Sequence, residues 1–179
     1  MARPRALPRG PHRLGRADVL ASQRGRLLDA MAEVVAQRGY GATTVAHVIE
    51  HAGVSRKTFY EHFRDREECF LAAYDAGVEI LMAEMRADPI RAYLATLSTE
   101  PAFARTFLIE IGAAGPRAIE RRQQVHEAFA ATIADRPEAL AVVGAFNEVV
   151  TREVAAGRTA RLPELHDFLA DLAERILRR

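Results

Sequence analysis

Apolar residues recur with helical spacing along most of this chain, and the two-residue alternation of a strand is hard to find. Leu27, Leu28, Met31, Val34 and Val35 form a first stripe, on a helix expected to start between Asp18 and Ser22 and to stop at Gly39. Val45, Val48, Ile49 and Ala52 mark a short second helix, opened by Thr43 or Thr44 and closed by Gly53, a residue free to take positive φ. Phe59 and Phe63, four apart, give the apolar back of a third, running from Arg56 to Phe63 behind a Ser55 cap. A long helix follows from Asp65 to near Ala87, with Asp65 and Glu68 at capping-box spacing and Phe70, Leu71, Tyr74, Val78, Leu81, Met82 and Met85 on one side. Beyond it the pattern predicts helices over 90–97, over 102–113, for about eighteen residues from Pro116, over 139–156, and from Pro163 to the end. The fold class expected is all-α.

The second and third helices carry the most chemistry. Opposite its two phenylalanines the third shows Arg56, Lys57, Thr58, Tyr60, Glu61 and His62, a narrow row of donors and cations. Two short helices around a glycine turn, apolar behind and polar in front, make a helix-turn-helix whose second helix fits the major groove. Arg56 can pair bidentately with guanine, and Tyr60, Thr58, Lys57 and His62 can reach phosphate or base edges. The same stretch spells a decoy: His47, Glu50 and His51 read as H-x-x-E-H, a zinc-peptidase signature. The helix is too short, no third ligand is evident, and Val48 and Ile49 already have a place inside, so zinc hydrolysis is a remote alternative and no metal site is assigned.

The strings G-Y-G-A-T-T-V, A-G-V-S-R-K-T-F-Y-E-H-F and D-R-E-E-C-F resemble the DNA-binding domain of TetR-family transcriptional regulators, over about Ser22 to Tyr74. Downstream, only the order and lengths of the helices are similar, and the pieces after Asp88 and around Asp135 are short beside that family's usual ones. Ile49 stands where the family often has alanine, and Arg66 where lysine is usual. The resemblance implies base-reading positions at Arg56, Lys57, Thr58, Tyr60, Glu61 and His62, with Ser55 beside them, and phosphate contacts from Thr44 and Arg66. It also implies a homodimer, paired through the last two helices as a four-helix bundle. Two reading helices one DNA turn apart then meet a palindrome.

Composition changes the picture in three ways. The net charge of +1 hides an asymmetry: residues 1–26 carry seven arginines against Asp18, so they contribute +6 and the rest −5. A basic end on an acidic body suits contact with phosphate at one end. Cys69 is the sole cysteine, so no intrachain disulfide forms and a cytoplasmic setting is expected. No apolar stretch is long enough to span a membrane and the first twenty residues lack the apolar core of a secretory signal.

The expected organisation is a flexible basic arm over 1–21, a DNA-binding domain over 22–65, and a ligand-binding and dimerisation domain over 66–179. Within the last, Met82, Met85, Tyr93, Phe103, Phe107 and Phe129 are candidate walls of a small-molecule cavity, and Glu110, His126 and Asn147 its candidate polar anchors. The function expected is a ligand-responsive repressor that leaves its double-stranded operator when an effector binds, with no cofactor and no enzymatic activity. A transcriptional activator, or a binder indifferent to ligand, is the alternative.

Overall fold

The computed structural model describes residues 16–85 and 88–178, and among them there are nine α-helices and no strand. Helix α1 (Arg16–Arg38) begins ahead of the expected Asp18–Ser22 window, so residues 16–21 are helical; the remainder of the expected arm lies outside the described residues. It carries Leu27, Met31 and Val35 fully buried, and Gly39, at φ 77°, turns the chain away from it. Helices α2 (Val45–Ala52) and α3 (Arg56–His62) follow, the latter ending one residue before the expected Phe63, which is extended.

Helix α4 (Arg66–Glu84) is the spine. The Asp65 side chain accepts the Glu68 N–H at 2.8 Å, while the Glu68 carboxylate reaches back to the Arg64 N–H at 2.7 Å, one residue beyond the usual reciprocal bond. Cys69, Phe70, Ala73, Tyr74, Val78 and Leu81 are buried, which is more than one stripe, because α1 covers one side and later helices the other. Burial pushes the Cys69 thiol up to about 12.

Helix α5 (Pro89–Thr99) starts under an Asp88 cap, and α6 (Pro101–Leu108) is shorter than expected. The helix expected over 102–113 breaks at Ile109, and Glu110–Ala113 form a 3-10 turn. Helix α7 (Pro116–Ile133) matches its expected start and length. Its Arg117 and Arg121 pair with Glu67 and Asp75 of α4 at 3.3 and 2.6 Å.

Helix α8 (Pro137–Ala155) and α9 (His166–Leu177) are antiparallel, with Arg136 at the head of α8 donating to the Leu177 carbonyl at the foot of α9. Pro163 does not open α9; it lies within a 3-10 segment, Thr159–Leu165. One buried apolar cluster runs from α1 through α4 to Leu169 of α9, so the described helices share a continuous core. No helix among the described residues is long and apolar enough to cross a membrane.

Candidate nucleic-acid interface and cavity

The reading pair is built by local caps. Thr44 accepts the His47 N–H at 3.3 Å and His47 Nδ1 accepts the Thr44 N–H at 3.3 Å, so histidine takes the glutamate's usual part in a capping box. At the other end of α2, Gly53 is left-handed (φ 63°); its N–H bonds Glu50 O, and the Val54 N–H bonds Ile49 O at 3.1 Å, a Schellman closure. Arg26 of α1 adds a donor to the Ala52 carbonyl at 3.0 Å and so helps close α2. Ser55 Oγ then accepts the Thr58 N–H at 3.0 Å and lies 2.9 Å from the Thr58 hydroxyl, starting α3.

Phe59 is fully buried, which turns the opposite face of α3 outward. On that face Lys57 is almost wholly exposed and sits 3.9 Å from Glu61, and Tyr60 is 48% exposed. The Arg56 guanidinium lies 5.7 Å from the Tyr60 ring centroid, an attraction that presents cation and phenol together. Thr44, Ser55, Arg56, Lys57, Tyr60 and Glu61 are exposed and Thr58 half-buried, so seven of the nine expected positions gather on one side around the two helix starts.

Two expected contacts do not. His62 is half-buried on the flank with its Nε2 fully enclosed, because the chain turns inward there to bury Phe63. Arg66 is spent inside the protein. Its Nη1 donates to the Tyr40 carbonyl at 3.0 Å and to the Thr43 carbonyl, and its guanidinium lies 4.2 Å from the Tyr40 ring centroid. It stitches the turn before α2 to the start of α4, since that turn has carbonyls with no helical partner. The H-x-x-E-H spelling is absorbed in the same way: His47 caps α2, and His51 Nε2 lies 2.7 Å from Glu33 of α1.

Between α5, α6, α7 and α8, beside the end of α4, lies a cavity of about 440 Å³, within the ~300–1,000 Å³ typical of small-molecule sites. Of the expected lining, Met85, Tyr93, Phe107, His126, Phe129 and Asn147 face it. Phe107 and Phe129 meet edge to face at 6.5 Å, and Tyr93 meets Phe129 at the same distance. His126 and Asn147 have no hydrogen-bond partner among the described residues, and burial, with Arg122 nearby, holds the His126 imidazole below its ordinary pKa and so neutral at pH 7.

Three expected lining residues lie elsewhere. Met82, a turn before Met85, packs half-buried against the core. Phe103 fills a notch over Gly77 of α4, where a Cβ would lie 2.0 Å from its ring. Glu110 points away from the cavity, to the backbone of the turn at residues 39–40. Conversely, Val142, Val143 and Phe146 join the wall, and the apolar period of α8 was the signal for them. Asp88 also reaches the cavity rim, where its carboxylate caps α5 (2.9 Å to the Arg91 N–H) and meets His166 Nε2 at 3.0 Å.

Comparison with known proteins bears on both parts. The profile of "Bacterial regulatory proteins, tetR family" matches residues 27–73, which hold most of α1, all of α2 and α3, and the start of α4. The HTH-type transcriptional activator FasR of Mycolicibacterium smegmatis is 35% identical over 79 residues, 44% of this chain and 36% of FasR. The HTH-type transcriptional repressor KstR2 of Mycobacterium tuberculosis is 43% identical over 47 residues, 26% of this chain and 24% of KstR2. The matched stretches thus span about a third and a quarter of these relatives. The crystal structure of the transcriptional regulator FadR from Bacillus subtilis in complex with stearoyl-CoA has the same fold, with a TM-score of 0.68 at 15% identity over 83% of this chain and 96% of that one.

Proposed function

We propose that the chain is a TetR-family regulator, a dimeric repressor that grips a palindromic operator through α2 and α3 and lets go when a small molecule fills the cavity. The observation that carries this reading is the exposed Arg56–Lys57–Tyr60 ridge joined by one continuous helix, α4, to an apolar cavity whose wall includes Met85 from just beyond the end of that helix. Arg56 reads a base edge, Lys57 and Tyr60 hold phosphate, and Thr44 and Ser55 keep the two helix starts in place beside them.

The effector is a mainly apolar molecule with one or two groups able to hydrogen-bond His126 and Asn147. The stearoyl-CoA held by the Bacillus FadR makes acyl compounds the first to try. Dimerisation through α8 and α9 is supported by Leu140 and Phe168, which stand 46% and 55% exposed on them. A ligand that favours the released form shifts the balance by its differential affinity, ordinarily ~1–3 kcal/mol. A DNA-binding role supports a cytoplasmic site of action.

The test is affinity for a duplex selected from a random pool, measured against salt concentration. A flat response would refute phosphate-driven binding. A second reading is activation, the role named for FasR, which this chain matches over 36% of FasR's length. A reporter gene behind the selected sequence separates the two: transcription that falls when the regulator is deleted means activation.

A further inference from the structure

A buried carboxylate ties the effector domain to the turn that launches the reading pair. Glu110, in the 3-10 turn after α6, is 7% exposed. Its Oε2 accepts the Tyr40 N–H at 2.8 Å, and its Oε1 lies 3.1 Å from Arg105 Nη2. Gly39 admits this approach. It is left-handed at φ 77°, a conformation that L side chains rarely adopt, and this turns the Tyr40 N–H toward Glu110; a Cβ there would make only ordinary contact with Oε2, at 3.4 Å. The Tyr40 carbonyl is taken by Arg66 at 3.0 Å, so residue 40 is held through its N–H by one domain and through its C=O by the first residue of α4. Thr43 stiffens the same turn, its hydroxyl donating to the Gly39 carbonyl at 2.9 Å. A turn back on α6, Thr106 donates to the Ala32 carbonyl of α1 at 3.2 Å, and the next residue, Phe107, is cavity wall.

We propose that Glu110 is a positioning residue for DNA binding: its grip on the Tyr40 amide fixes the Gly39–Thr44 turn, and so α2 and α3, against the helix that walls the effector cavity. The proposal rests on α2–α3 being the DNA interface. A charge-assisted bond to a buried amide is strong, and its loss leaves both the amide and Arg105 without their partner.

Three full-length variants separate positioning from mere support. Glu110→Gln keeps an acceptor for the Tyr40 N–H, Glu110→Ala keeps none, and Glu110→Leu keeps none while filling most of the same space. Each is measured well below its melting temperature for binding to the duplex selected by the wild type, and by hydrogen exchange at the Tyr40 amide. Glu110→Ala is expected to weaken duplex binding by at least about fivefold and to speed Tyr40 exchange, while Glu110→Gln stays within about threefold of wild type. Binding by a folded Glu110→Ala within about twofold of wild type overturns the proposal, as does equal weakening by alanine and glutamine. If the alanine variant does not fold, Glu110→Leu decides: faster exchange at Tyr40 together with duplex binding weakened at least about fivefold supports the proposal, and any other outcome overturns it. Should the wild type select no duplex, the DNA interface fails, while the exchange measurements still judge the grip.

Discussion

Adding one methyl group at Gly77 tests how closely α4 and α6 are keyed together. A Cβ at this position would stand 2.0 Å from Phe103 Cε2 and 2.7 and 2.8 Å from its Cδ2 and Cζ. Relaxed carbon contacts lie at ~3.5–4.0 Å, so the ring must withdraw by roughly 1.5 Å. It is not free to do so without cost, since it packs 5.2 Å from Phe107, which stacks in turn 5.0 Å from Tyr74. Overpacking of this kind costs ~1–3 kcal/mol, against which a mid-helix glycine replaced by alanine returns ~1 kcal/mol of helix propensity. The net expectation for Gly77→Ala is a loss of about 1 kcal/mol, or a Tm lower by ~2–4 °C in a protein of this size. Thermal and urea unfolding measure it. The double variant Gly77→Ala with Phe103→Leu removes the obstruction and recovers most of the propensity gain, so the two changes are strongly non-additive. A Gly77→Ala protein that melts ~2–4 °C above wild type, as propensity alone would give, refutes this account of the α4–α6 contact.

Other outcomes follow from the interface and the ties around it. Arg66→Gln should lower Tm while leaving the slope of log affinity against log salt unchanged, because its guanidinium is committed to the Tyr40 and Thr43 carbonyls; a slope shallower by about one phosphate would return it to the DNA. Lys57→Ala should reduce that slope by about one phosphate with little change in Tm, and an unaltered slope removes Lys57 from the interface. The His166 imidazole is held above its ordinary pKa, chiefly by Asp167 and then by Asp88, so its contribution is complete below that ordinary value and fades as pH rises through the raised one. The Asp88 carboxyl is held low, first by the Arg91 N–H and also by His166, so its own contribution is lost only as acid reaches the lowered value. The Tm difference between wild type and His166→Gln should therefore shrink between about pH 5.5 and about pH 8.5, a span bracketing the usual imidazole range, and a constant difference would show the contact to be inert.

Thr44, Gly53 and Ser55 were legible in the sequence because a cap acts within three or four residues of itself. Phe59 and Phe63 were legible because their spacing alone decides which face of α3 is outward. Arg26, Arg66 and Glu110 were not, since each finds its partner 26 to 70 residues away, and nothing local distinguishes a guanidinium meant for phosphate from one meant for a carbonyl. The break of α6 at Ile109 has the same origin: the apolar spacing of Phe103, Phe107 and Ile111 continues through it, and the Tyr40 contact of Glu110 is invisible to periodicity. In the cavity the aromatic walls followed from apolar periodicity, but that pattern could not tell Phe103 on Gly77 from Phe107 on the void.

Cys69 gives experimenters a clock within the N-terminal half of the chain. Its sulfur is sealed against the Leu27 carbonyl of α1, 3.9 Å away, and burial keeps the thiol protonated, so alkylating reagents reach it only when α1 and α4 part. An introduced surface cysteine can be tagged selectively without removing the native one, and the slow labelling that remains times the opening of that half of the molecule.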